Sequence, residues 1–204
     1  MSASDSDIKY TIAAIPTMYR GRQYRSRLEA RWAAFFDLLG WRAEYEPFDL
    51  GKWSPDFQLV SPYSGSILVE VKPITEFNQP TADRMVKAAF ERGMGGDATL
   101  LLVGTSPIIR RNFVQIGWIG HVYEDQARAD FQEAAIGWML DSDVPGVHAD
   151  IMFRDYADQD TCWSGALYLY PAFDFSGDCK AYSKHTMQLW ASASNQTQWK
   201  GPQS

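Results

Sequence analysis

The sequence predicts an α/β fold, and three observations carry that expectation. From Gln23 to Leu39 the apolar residues Leu28, Trp32, Phe35, Phe36 and Leu39 recur at helical spacing, with Gly40 as a stop. Three extended segments follow: Trp41 to Phe48, Asp56 to Val60, and Ile67 to Lys72. The last two flank the turn-rich stretch Ser61 to Ser66. Pro80 to Arg92 then reads as a second helix, with Pro80 suited to its first turn and Gly93, Gly95 and Gly96 ending it. The apolar run Ala98 to Val103 has the length of a buried strand. The order is helix, three strands, helix, strand.

The other elements follow from the same rules. Lys9 to Ile15 reads as a short strand ended by Pro16, and Asp49 to Ser54 as a turn. Phe113 to Tyr123 reads as strands broken by Gly117 and Gly120. Gln126 to Leu140 has helical spacing, Ala166 to Tyr170 is strand-like, and Lys180 to Ala191 is helical. The polar stretch Ser192 to Ser204 is expected to be loose. There is no internal repeat. The expected organisation is a core over residues 8–104, an α+β extension over 105–192 packed on the same domain, and a polar tail over 193–204.

Hydrophobic residues at 46% and charged residues at 22% set a globular chain apart from a disordered one. A net charge of −6 argues against a non-specific coat on nucleic acid. Yet residues 1–42 hold seven basic side chains against four acidic ones, so a basic N-terminal region sits on an otherwise acidic chain. Two cysteines, Cys162 and Cys179, are too few for a secreted disulfide scaffold, and with His148 and His185 they match no zinc spacing. The polar N-terminus lacks the pattern of a signal peptide, and no apolar run is long enough to span a membrane. A cytoplasmic protein with no membrane partner is expected.

The chemistry concentrates in Ile67-Leu68-Val69-Glu70-Val71-Lys72. Alternation puts Ile67, Val69 and Val71 on one face of a strand and Glu70 and Lys72 together on the other. An isolated triplet of this kind is more often an ion pair at a sheet edge. The preceding strand adds weight. If the two strands form a hairpin through Ser61 to Ser66, Val60 falls opposite about Ile67. Asp56 then falls opposite about Val71, within a residue of Glu70 and Lys72. Two carboxylates and a lysine at a strand pair suit phosphodiester hydrolysis with Mg²⁺, which takes one or two protein carboxylates, waters and a substrate phosphate. A lysine there can orient water or stabilise developing negative charge. On the first helix, Glu29 lies at the edge of the apolar stripe. It is a candidate third carboxylate, or the partner of Arg25 in an i,i+4 pair.

The string Tyr24-Arg25-Ser26-Arg27-Leu28-Glu29-Ala30-Arg31-Trp32-Ala33, then Tyr45-Glu46-Pro47, Pro55-Asp56 and Val69-Glu70-Val71-Lys72, resembles a phage- and plasmid-borne branch of the PD-(D/E)xK nucleases. The resemblance covers roughly residues 17–104. Thirteen residues separate Asp56 from Glu70, within that family's range. It implies a restriction-endonuclease-like core, a central mixed sheet flanked by helices in the order αβββαβ, with Mg²⁺ or Mn²⁺ at one end. Asp56 and Glu70 would bind metal, Lys72 would position or activate water, and Glu29 would be an extra acidic ligand from the first helix. The function implied is a metal-dependent nuclease, with DNA favoured over RNA, encoded by a phage or mobile element and working in the host cytoplasm. Arg20, Arg22, Arg25 and Arg27 are candidate phosphate contacts, with Arg84, Lys87 and Arg92 behind them. A homodimer is one arrangement the resemblance allows. The acidic stretch Asp141 to Asp160 is a candidate surface for a protein partner. Two other functional classes stand beside this one. One is a catalytically silent module of the same fold that binds a host protein or nucleic acid. The other is an α/β protein in which the four residues form a buried ion cluster.

Overall fold

The computed structural model describes residues 14–61, 65–110, 113–140, 147–153 and 179–198. It is an α/β fold. One seven-stranded mixed sheet runs in the order β3 (Ala43–Tyr45), β4 (Phe57–Ser61), β5 (Gly65–Val71), β6 (Thr99–Ile109), β7 (Val114–His121), β8 (Gln132–Leu140), β9 (Val147–Phe153). Only β5 and β6 are parallel; the other neighbours are antiparallel. That parallel pair needs a crossover, which is α2 (Gln79–Glu91). Helices α1 (Arg27–Leu38) and α3 (Cys179–Gln196) pack on the other face. The expected order of one helix, three strands, a helix and a strand is present. Among the described residues no helix is long and apolar enough to cross a membrane.

The sheet divides two cores by strand alternation. Phe57, Leu59, Ile67, Val69 and Val71 face α1 and α3, whereas Leu68, Leu100 and Leu102 face α2. Trp32 anchors the first core. It is fully buried, and its indole N–H donates to the Gly104 carbonyl at 2.8 Å, so burial leaves no polar atom unmet. Trp190 of α3 packs on Trp32 and Phe35 at 4.8 and 5.3 Å between ring centroids. A buried aromatic of this kind contributes about 1.5–3 kcal/mol by area alone.

Several expectations are corrected. The helix expected from Gln23 begins at Arg27, because Ser26 caps it and Arg22–Tyr24 is strand β2, paired with β1 (Thr17–Tyr19). The connecting residues Arg20 and Gly21 both have positive φ, 45° and 76°, as the tightest hairpin turn requires. Gln126 to Leu140 is not helical: it contains β8, in the interior of the sheet. Ala134, Ala135 and Ile136 are buried in succession because both faces are covered, and such a run does not alternate. Helix α3 extends to Gln196, past the expected end at Ala191 and into the stretch expected to be loose. Gly117 and Gly120 do not break the 113–123 segment; β7 is continuous, with a register shift between Gln115 and Gly117. Strand β6 runs on through residue 104 to Ile109. The expected strands at Lys9–Ile15 and Ala166–Tyr170, and most of the acidic stretch Asp141–Asp160, lie outside the described residues.

Gly117 tests the register. A Cβ there would run into the Leu102 carbonyl oxygen of β6. Gly117→Ala is expected to lose about 1–3 kcal/mol in urea unfolding, as overpacking does. An unchanged midpoint would mean that β6 and β7 do not pair this way.

Candidate active site

The β4–β5 ladder pairs Phe57 with Val69 and Gln58 with Leu68. One step further, the same register sets Asp56 opposite Glu70, one residue from the position expected opposite Val71. Both point away from the α1 core, on the α2 side with Leu68. Both are buried, at 4% and 3% exposure. Two facing carboxylates out of water are costly unless neighbours compensate them.

Each carboxylate is held by particular donors. Asp56 accepts from the Val71 backbone N–H at 2.7 Å and from the Arg25 guanidinium at 2.5 Å. On Glu70, one oxygen takes the Lys72 ammonium at 2.6 Å and the Arg84 guanidinium of α2 at 3.2 Å. The other takes the Trp53 indole N–H at 2.7 Å. Trp53 is delivered by the turn at residues 49–54. Within that turn, Asp49 accepts from the Gly51 backbone at 2.7 Å and the Ser54 hydroxyl at 2.8 Å. Those two donors hold the Asp49 carboxyl below its ordinary range.

Compensation at Asp56 is incomplete. Burial, the charge of Glu70 and that of Glu29 push its carboxyl up from the ordinary 3.8 to about 7, against the Val71 N–H and Lys72. Glu29 comes from the other side of the sheet. Its carboxylate takes the Ser26 hydroxyl at 2.8 Å and the Tyr45 hydroxyl at 2.6 Å, while the Ser26 oxygen accepts the Glu29 backbone N–H. This is a helix cap closed on itself. Burial and the Glu29 bond push the Tyr45 hydroxyl up to about 12.

Arg25 joins the two halves. Its guanidinium lies 3.7 Å from Glu29, 2.8 Å from Glu46 and 2.5 Å from Asp56. Burial disfavours its charge, but the Tyr45 hydroxyl and these three carboxylates outweigh that, and its pKa is raised. The side chain is nevertheless 56% exposed, so it has room to turn outward.

The structure thus brings Asp56, Glu70 and Lys72 together directly, and Glu29 to the same place through Arg25. Of the four arginines expected to meet phosphate, Arg25 is inside the cluster and Arg20 pairs with Asp37 at 3.2 Å. Arg22 is exposed on β2, and Arg27 is half-buried at the start of α1. Ser26, Tyr45, Glu46 and Trp53 were not singled out as site residues. The spacing Ser26-x-x-Glu29, a capping-box pattern, signals the first of these. Nothing in the local sequence marks Trp53.

Among the described residues, no group of three or more His, Cys, Asp or Glu side chains is placed to hold a metal ion. The donor set that remains is the oxygen pair Asp56 and Glu70. It suits a hard cation such as Mg²⁺ or Mn²⁺, for which two protein carboxylates suffice when water and substrate complete the shell. The Asp56 carboxyl is raised first by burial and then by the charge of Glu70, and a bound cation would favour its charged form. Lone pairs remain on these oxygens, provided Arg25 turns away from Asp56. Comparison with family models, with curated proteins and with solved structures found no match.

Two outcomes follow for the metal-free protein. The folded state binds a proton at Asp56 between pH 3.8 and about 7 that the unfolded chain releases. Stability therefore falls as pH rises through that window. Asp56→Asn should remove the cost, by up to about 4 kcal/mol at the alkaline end and little at the acid end. Urea unfolding at several pH values in chelator reads this, and an equal effect at every pH would refute it. Arg25→Gln removes the cation that competes for Asp56, so calorimetric titration with Mn²⁺ should show tighter binding than wild type. Weaker binding would mean that the guanidinium does not oppose the metal.

Proposed function

We propose that the chain is a Mg²⁺- or Mn²⁺-dependent nuclease of restriction-endonuclease-like fold that hydrolyses phosphodiester bonds of nucleic acid, with DNA favoured. The observation that carries this reading is the meeting of Asp56, Glu70 and Lys72 at the adjoining ends of β4 and β5, with the Lys72 ammonium 2.6 Å from Glu70. Asp56 and Glu70 would hold the metal. When bound, a divalent cation polarises the phosphoryl group and lowers the pKa of a water.

The chain's own residues do the rest. Glu70 holds the Lys72 ammonium in place, where it can orient the attacking water or stabilise charge developing on the phosphoryl oxygens. Arg84, anchored on the same carboxylate, presents a second cation along the α2 side. Trp53 and the Val71 N–H fix the two carboxylates, so that the geometry is set before substrate arrives. Arg25, once released from Asp56, would be free to meet a phosphate oxygen.

A second reading is a catalytically silent module of the same fold that binds a host protein or nucleic acid. It is favoured by one observation: every oxygen of Asp56 and Glu70 already accepts a donor from the protein. Cleavage assays with Mg²⁺ and with Mn²⁺ on labelled single-stranded, duplex and branched DNA and on RNA separate the two. The nuclease reading expects metal-dependent cutting of at least one substrate, reduced about 100-fold or more by Lys72→Ala. No cutting by folded wild-type protein, or cutting undiminished in the variant, would overturn it.

A further inference from the structure

Arg27 and Arg31 sit four residues apart on α1, and both are half-buried. The Nε atom of each is buried without a hydrogen-bond partner, and neither side chain meets a carboxylate among the described residues. On the same stretch of chain, Arg20 meets Asp37 and Arg25 meets Glu29, Glu46 and Asp56. Three features disfavour this arrangement. Like charges at i,i+4 repel along a helix. Arg27 is the first residue of α1, where the helix dipole already presents positive charge. Burial withholds water from the two Nε–H groups, which have no other acceptor. Burial and the Arg27 charge together lower the Arg31 pKa. Arg31 lies against Trp190, its guanidinium carbon 5.6 Å from the centroid of that ring, which itself packs on Trp32 and Phe35. One anion between the two side chains would relieve all three.

We propose that Arg27 and Arg31 form a clamp for a backbone phosphate of the nucleic-acid strand, with Trp190 as the platform that positions Arg31. Positions i and i+4 hold their Cβ atoms about 5–6 Å apart, so each guanidinium fork can take one non-bridging oxygen of a phosphodiester. The clamp lies around α1 from Glu29, roughly one helix diameter of ~10 Å away from that carboxylate. Arg27 is two residues along the chain from Arg25, which itself contacts Asp56. The clamp's chemistry reads no base, and it holds the strand in register for cleavage. The inference rests on the nuclease reading for the strand it anchors.

The test is fluorescence anisotropy with labelled oligonucleotides in chelator, where no cleavage occurs, across a series of salt concentrations. Wild type is compared with Arg27→Gln/Arg31→Gln and with Arg31→Lys. The double variant is expected to bind about 10-fold more weakly for every sequence, with the slope of log affinity against log salt reduced by roughly one. Its melting temperature should be equal or higher, because a repulsion is removed. Arg31→Lys, which keeps the charge and loses the fork, should fall between. An unchanged slope in both variants overturns the clamp. So does calorimetric binding of inorganic phosphate that the double variant loses while its oligonucleotide affinity stays at the wild-type level. If wild type cuts nothing but the slope changes as expected, the nuclease reading fails and the clamp stands. If wild type cuts and the slope does not change, the reverse holds.

Discussion

The site depends on one constraint: Asp56 and Glu70 face each other across two paired strands with almost no access to water. Neighbouring strands lie about 4.8 Å apart, so the backbone ladder itself brings the carboxylates together. Everything around them reads as a response. The Val71 N–H, the Trp53 indole, Lys72, Arg84 and Arg25 converge on four oxygens, and the Asp56 carboxyl still rises to about 7. Buried ion pairs of this kind can often be replaced by apolar residues without loss of stability.

The local folding of α1 serves the same end. The β1–β2 hairpin ends in Tyr24, Ser26 caps the helix, and Arg25 between them is delivered to the sheet end where Asp56 lies. Glu46 completes the arrangement in a left-handed conformation, φ 47°, that costs a non-glycine residue about 1–3 kcal/mol. Its backbone N–H donates to the Asp56 carbonyl at 3.0 Å while its carboxylate holds Arg25 at 2.8 Å. Strain spent on fixing one carboxylate against one guanidinium ties backbone geometry to charge. Arg25 is the most exposed side chain of this group, while Asp56 and Glu29 are buried.

Much of this was readable in the sequence where the pattern is local. The alternation from Ile67 to Lys72 separates core from site, and a hairpin expected through Ser61 to Ser66 sets Asp56 against Glu70 within one residue of the observed register. Helix α2 and strand β6 follow from Pro80, the glycines after Arg92 and an apolar run. What was missed depends on distant contacts. Ala134 to Ile136 look helical because both faces of β8 are covered, which no local period reveals. Trp53 reaches Glu70 only through the fold of the 49–54 turn, and Trp190 meets Arg31 only because α3 returns onto α1. Arg25 makes the i,i+4 contact with Glu29 that the spacing allowed, and its further contacts with Glu46 and Asp56 come from distant parts of the chain.

The most direct test of the central claim, that Asp56 and Glu70 form a divalent-cation site which Arg25 closes in the metal-free protein, is an anomalous difference map from crystals soaked in Mn²⁺. The expected result is a peak bridging Asp56 and Glu70, with the Arg25 guanidinium turned out of the cluster. A map with no peak there and Arg25 still seated on Asp56 would contradict it.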